Sequence, residues 1–211
     1  MRWAAFDTRN ATQRPPSVNR PDEANLNVRS EAAKQLPLAA IPLRVHEQAM
    51  QLAIAAARAN PLFPFGAVIV RAADREVMAT GVNNRRANPT LHGEIVAIND
   101  FVTRRGNRAW GDVIFYSAGE PCPMCMSALA WAQIGGVVYG TSIETLQKLG
   151  IDQILLPATA VITAAPFYRG KILSHVLESE TDTLFWTGSA FDRVRRVCSE
   201  GERNAAVTTS I

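Results

Sequence analysis

Two cysteines, Cys122 and Cys125, stand behind a proline in the stretch GEPCPMCMSALAW from Gly119 to Trp131. A C-x-x-C pair has three ordinary uses: a disulfide, a redox couple at a helix N-terminus, or half of a metal site. The one other cysteine is Cys198, so a four-cysteine zinc ribbon is excluded. Upstream, however, the run Asn88-Pro89-Thr90-Leu91-His92-Gly93-Glu94 places a histidine and an acid at a helix start. One imidazole and two thiolates hold zinc with three protein ligands and leave a fourth position open, the arrangement of a catalytic rather than a structural site. Zinc in such a site acidifies a water toward neutral pH. That water needs a proton carrier beside it, and Glu94, two residues past His92, can reach the metal's neighbourhood without being a ligand. On the next helix, i and i+3 spacing puts both cysteine sulfurs on one face. Singly, each residue has an ordinary structural use, His92 as a cap and Glu94 as a complement to the helix dipole. The ordered set H-x-E and then P-C-x-x-C supplies three ligands and a proton carrier together, which no single residue's ordinary use explains.

The elements that must position these residues alternate along the chain. Leu43 to Ala59 reads as an amphipathic helix stopped by Asn60-Pro61. Two strands, from Phe65 and from Glu76, form a hairpin through Ala73-Asp74. A helix from about His92 to Arg105, a strand from Asp112, the cysteine-bearing helix to Gln133, the strand GVVYG and a short helix SIETLQKLG follow. A strand AVIT from Ala160 and a helix from about Lys171 to Trp186 complete the pattern. The expectation is an α/β fold, a three-layer αβα sandwich on a five-stranded mixed sheet. Residues 1–37 read as a polar, proline-rich tail, 38–187 as the deaminase-like domain, and 188–211 as a C-terminal extension.

Composition bounds the class. With 211 residues and 47% apolar content the chain can bury a full core without disulfides. Three cysteines argue for a reducing compartment, and the chain is expected to be cytoplasmic, with no signal-peptide core and no apolar run near the roughly 18 residues of a membrane span. A net charge of +3 without a block of like charge gives little sign of a nucleic-acid partner; the Arg193, Arg195, Arg196 cluster is thin.

Residues 43–186 resemble the cytidine-deaminase-like superfamily, and LHGEIVAI with EPCPMC is similar to its branch of guanine deaminases and tRNA adenosine deaminases. The resemblance implies Zn2+ as cofactor, hydrolytic deamination of a nucleobase amino group, and a homodimer. It implies Glu94 as catalytic acid-base and His92, Cys122 and Cys125 as ligands. PFGAVIV at Pro64–Val70, Gly81-Val82-Asn83-Asn84 and Trp131 are similar to guanine deaminases, with Phe65 and Trp131 as walls for a flat ring and Asn83 as its hydrogen-bonding partner. The backbone near Ala118, Gly119 and Glu120 is suited to fixing the ring. Three departures stand out. The family's H-A-E reads His92-Gly93-Glu94, the loop from Asn83 to His92 is shorter, and in Gly150-Ile151-Asp152-Gln153 only Asp152 keeps an acid of the guanine deaminases' G-F-D-D. A free base or related heterocyclic amine is the leading substrate; an RNA-acting adenosine deaminase and a non-catalytic binding protein are the alternatives.

Overall fold

The computed structural model describes residues 36–186. The N-terminal tail to residue 35, the arginine cluster and Cys198 lie outside the described residues.

A 3-10 turn at Leu38–Ala40 leads into α1 (Leu43–Arg58), which buries Val45, Ala49, Met50, Ala53, Ile54 and Ala57 at helical spacing on one face. The hairpin follows as β1 (Gly66–Arg71) and β2 (Val77–Val82), paired antiparallel with a register shift between Ile69 and Val70. Next come α2 (Gly93–Arg105), β3 (Val113–Gly119), α3 (Pro123–Trp131), β4 (Gly136–Thr141), α4 (Ile143–Lys148), α5 (Ala158–Thr163), β5 (Lys171–Leu173) and α6 (Glu178–Phe185). The sheet order is β2-β1-β3-β4-β5. β3 runs antiparallel to β1 and parallel to β4, which in turn is parallel to β5.

Alternation along β3 divides the core. Val113 and Phe115 face the layer that also holds Phe101 of α2, Met126 and Leu129 of α3, and Ala158 of α5. Ile114 and Tyr116 face Met50 and Ile54 of α1, with Leu184 of α6 against the same layer. Helices on both faces of one mixed sheet make the three-layer αβα sandwich. Buried His46 ties the layers together, bonding the Tyr116 hydroxyl and the Leu38 carbonyl, both at 3.0 Å.

Two expectations are corrected. The segment read as a strand from Ala160 is α5. Its β-branched run has strand propensity, but burial of Ala158 beneath half-buried Val161 and Ile162 follows the helical period, and packing overrides propensity. The segment read as one helix from Lys171 splits into β5 and α6. His175 and Leu177 turn the chain between them at φ of 63° and 53°, a left-handed conformation that sequence signals only when glycine or asparagine fills it.

Candidate active site

The antiparallel pairing of β1 with β2 and β3 brings Phe65, at the start of β1, beside Asn83 at the end of β2 and Glu120 at the end of β3. This is the carboxyl edge of the parallel strands, where open α/β sheets bind ligands.

α2 and α3 deliver the rest from their N-termini. His92 is the N-cap residue of α2 and Cys122 that of α3, both on extended backbone. Cys125 lies one turn into α3 and is fully buried. The close seat of α2 explains the glycine at 93: a Cβ there would stand 2.5 Å from the Phe65 carbonyl oxygen, and one at Gly81 would stand 1.9 Å from the Gly93 oxygen. Glycine at 93 is what lets α2 approach the hairpin.

His92 Nδ1 lies 3.6 Å from the Sγ atoms of both Cys122 and Cys125, and the three donor atoms all fall within 4.8 Å of one another. Zinc bonds of about 2.3 Å to sulfur and about 2.0–2.1 Å to nitrogen at a tetrahedral angle give a sulfur–nitrogen edge of about 3.6 Å, so the set fits that ion. Among the described residues no other group of three or more such side chains is gathered closely enough to hold a metal. The hydrogen bond from Cys125, then the one from His92, draws the Cys122 thiol down to about 4. The same sharing, with burial, pushes Cys125 up. The two thiols thus shift in opposite directions, and a divalent cation between them lets both ionise.

Glu94 is 3% exposed, and its Oε2 has no hydrogen-bond partner. Burial raises its carboxyl to about 7. A buried, unpartnered carboxylate oxygen is costly unless a ligand completes it.

Glu94, His92 and Cys122 form the floor of a cavity of about 270 Å³. That is below the roughly 300–1,000 Å³ of sites for drug-sized ligands, and it suits a single heterocycle. Phe65 forms one wall, its ring backed by Phe185 at 4.9 Å and by Gly119, where a Cβ would stand 3.3 Å from it. Asn83 lines the cavity with its Oδ1 already accepting from Arg85 N at 3.1 Å, which leaves its NH2 group to donate. Ile151, Asp152 and Gln153 also line it, with Ile151 in the apolar cluster that Phe65 packs against.

Other expected contributors sit elsewhere. Trp131, the last residue of α3, is 74% exposed, stacks on Phe167 at 4.7 Å, and lines no part of the cavity. Ala118 is wholly buried in β3, and Glu120 N donates to Thr141 O at 2.7 Å, so neither offers backbone to a ring. Glu120 does border the cavity. Sequence reasoning missed Phe63 and Arg85, whose guanidinium lies 4.8 Å over the Phe63 ring at the cavity's edge. Phe63 lies in the turn after α1, where its N–H donates to Asn60 O and its carbonyl accepts from Phe65 N at 2.7 Å, so no period marked it.

Over residues 43–141 the chain matches the family described as the cytidine and deoxycytidylate deaminase zinc-binding region. It is 32% identical over 136 residues to a guanine deaminase of Bacillus subtilis, covering 62% of this chain and 86% of that one. It is 34% identical over 151 residues to a tRNA-specific adenosine deaminase of Rickettsia felis, covering 71% and 99%. Among solved structures, the guanine deaminase from Nitrosomonas europaea superposes with a TM-score of 0.57 at 20% identity over 66% of this chain and 81% of that one, a likeness of fold. A tRNA:A34 deaminase superposes with a TM-score of 0.51 at 26% identity, covering 65% and 98%.

Proposed function

The chain belongs to the zinc-binding cytidine and deoxycytidylate deaminase family, and within it we propose that it hydrolyses the amino group from a free nucleobase or related heterocyclic amine, a guanine-like purine first, releasing ammonia. The observation that carries this reading is the orphaned Glu94 Oε2 beside the His92, Cys122, Cys125 triad, on the floor of a cavity sized for one ring. Zinc, when bound there, supplies Lewis acidity and an acidified water.

The chain's own residues do the rest. Phe65 lays the ring flat, and the Asn83 NH2 donates to an acceptor on its edge. Glu94 takes the attacking water's first proton on Oε2 and passes it to the ring nitrogen next to the amino-bearing carbon; it then takes the remaining proton from the new hydroxyl and gives it to the departing amine, which leaves as ammonia while the carbon keeps the oxygen as a carbonyl. Burial within the cavity keeps that carboxylate from bulk water, so its proton goes to the substrate.

Two observations favour a second reading, adenosine deamination in RNA: the match to the Rickettsia felis enzyme along nearly its whole length, and the Arg85–Phe63 pair at the cavity's edge, a cation and an aromatic face of the kind that hold unstacked nucleotides. Ammonia release decides between them. Guanine, cytosine, adenine and a triazine are assayed against a tRNA anticodon stem-loop; turnover of one or more free bases with an inert stem-loop is expected, and the reverse overturns the reading. Because Gln153 stands in the wall where an acid is matched in guanine deaminases, guanine is not expected to be the sole base accepted.

A further inference from the structure

Glu120 carries a buried carboxylate that the mechanism does not use. It is 5% exposed, and both oxygens are engaged: Oε2 accepts from Ile143 N at 2.8 Å and Oε1 from Ala158 N at 2.7 Å. Ile143 is the first residue of α4 and Ala158 the first of α5. First-turn N–H groups have no partner inside their own helix, and here one side chain satisfies one from each of two helices. The chain between these points holds Ile151, Asp152 and Gln153, which line the cavity together with Phe65. Glu120 therefore grips both ends of a segment that forms part of the cavity wall. It also stands two residues before Cys122, with Pro121 between them restricting its backbone to the extended region. Its own N–H is fixed to Thr141 O at the end of β4.

We propose that Glu120 is a positioning residue: its carboxylate locks the wall of residues 149–157 to the metal-ligand turn, setting how closely the substrate ring is held and which bases are accepted. This rests on the base-deaminase reading. Neither neighbouring amino acid type can substitute. Glutamine presents an NH2 to one of two N–H donors, so one arm opens, and aspartate is a methylene too short to span both helices.

The test combines Glu120→Gln with Ala158→Pro. Proline is tolerated at the first position of a helix and deletes only the N–H that Oε1 accepts. In both variants one zinc per chain is retained, KM for the preferred base rises at least tenfold, kcat stays within about threefold, and the ratio of kcat/KM between best and second-best base falls. The double variant is no worse than the poorer single one, since the glutamine carbonyl can still accept from Ile143 N while proline leaves no second donor to satisfy. Hydrogen exchange, read without any substrate, speeds at least tenfold across residues 149–157 while β1 and β3 are unchanged. Unchanged exchange in that segment overturns the proposal, as does lowered thermal stability with KM unmoved, which marks a merely structural bond. A wild-type chain that deaminates no base, while exchange responds as stated, overturns the substrate reading and leaves the clamp standing.

Discussion

At the scale of the residue, the three ligands and Glu94 separate cleanly by what each removal takes away. Substituting His92 or Cys125 breaks a donor set whose atoms all lie within 4.8 Å of one another, and the purified variants are expected to lose their zinc. Metal analysis of the wild type should find about one zinc per chain; a Cys122–Cys125 disulfide without metal in a reduced preparation would refute the site. Glu94→Gln is different. It keeps the shape and the metal but removes the proton carrier, and turnover should fall by at least about a hundredfold, within the usual 10²–10⁴ contribution of a positioned acid-base. Retention of a tenth of the activity would exclude that role. Asn83→Ala leaves a buried edge of the ring unpaired, costing about 1–3 kcal/mol, or one to two decades in kcat/KM. Unchanged rates in that variant would place the substrate elsewhere.

At the scale of the element, Gly93 sets two effects against each other. Helix propensity alone says that alanine at the first position of α2 gains up to about 1 kcal/mol over glycine. The steric term opposes it, because the new Cβ would stand 2.5 Å from a backbone oxygen that cannot swing aside. Forcing atoms into a packed seat costs about 1–3 kcal/mol, so the sign should be destabilising. Chemical denaturation of Gly93→Ala checks it, and a more stable variant would mean that α2 and the hairpin yield more easily than the geometry indicates. The same contrast between local and tertiary effects explains what was legible in the sequence. α1 and the β1–β2 hairpin were readable because their periods are long and their stops are Asn60-Pro61 and Ala73-Asp74. The metal set was readable because ligand chemistry leaves few residue types to choose from. α5 was misread because its β-branched residues are decided by packing on α3, and β5 because three residues cannot display a period. Trp131 was misplaced for a related reason: a tryptophan at that point of a helix is equally suited to a cavity wall or an outer surface, and only the direction of α3 decides.

At the scale of the whole molecule, α3 raises the question of what covers its outer side. A helix that is apolar around its whole circumference is normally buried all round. The inner residues of α3, Cys125, Met126, Leu129 and Ala130, are buried in the core. The outer positions Met124 and Ala128 are half-buried, and Trp131, continuing the same stripe, is 74% exposed with Phe167 stacked on it. No helix among the described residues is long and apolar enough to cross a membrane. We expect a second copy of the chain to cover the stripe. A two-fold axis would bury each residue twice, and an aromatic ring contributes about 150–250 Å² per copy toward the roughly 800 Å² a standard interface needs from each side. Trp131→Glu tests this away from the cavity, because its ring touches neither the triad nor the cavity walls. Scattering at micromolar concentration should give a dimer for the wild type, and the variant should need at least about tenfold more protein to associate, as for an interface anchor worth more than about 1.4 kcal/mol. Zinc content should be unchanged in both. A wild type that scatters as a monomer at that concentration, or a variant that dimerises as tightly, would leave the exposed stripe of α3 without this partner.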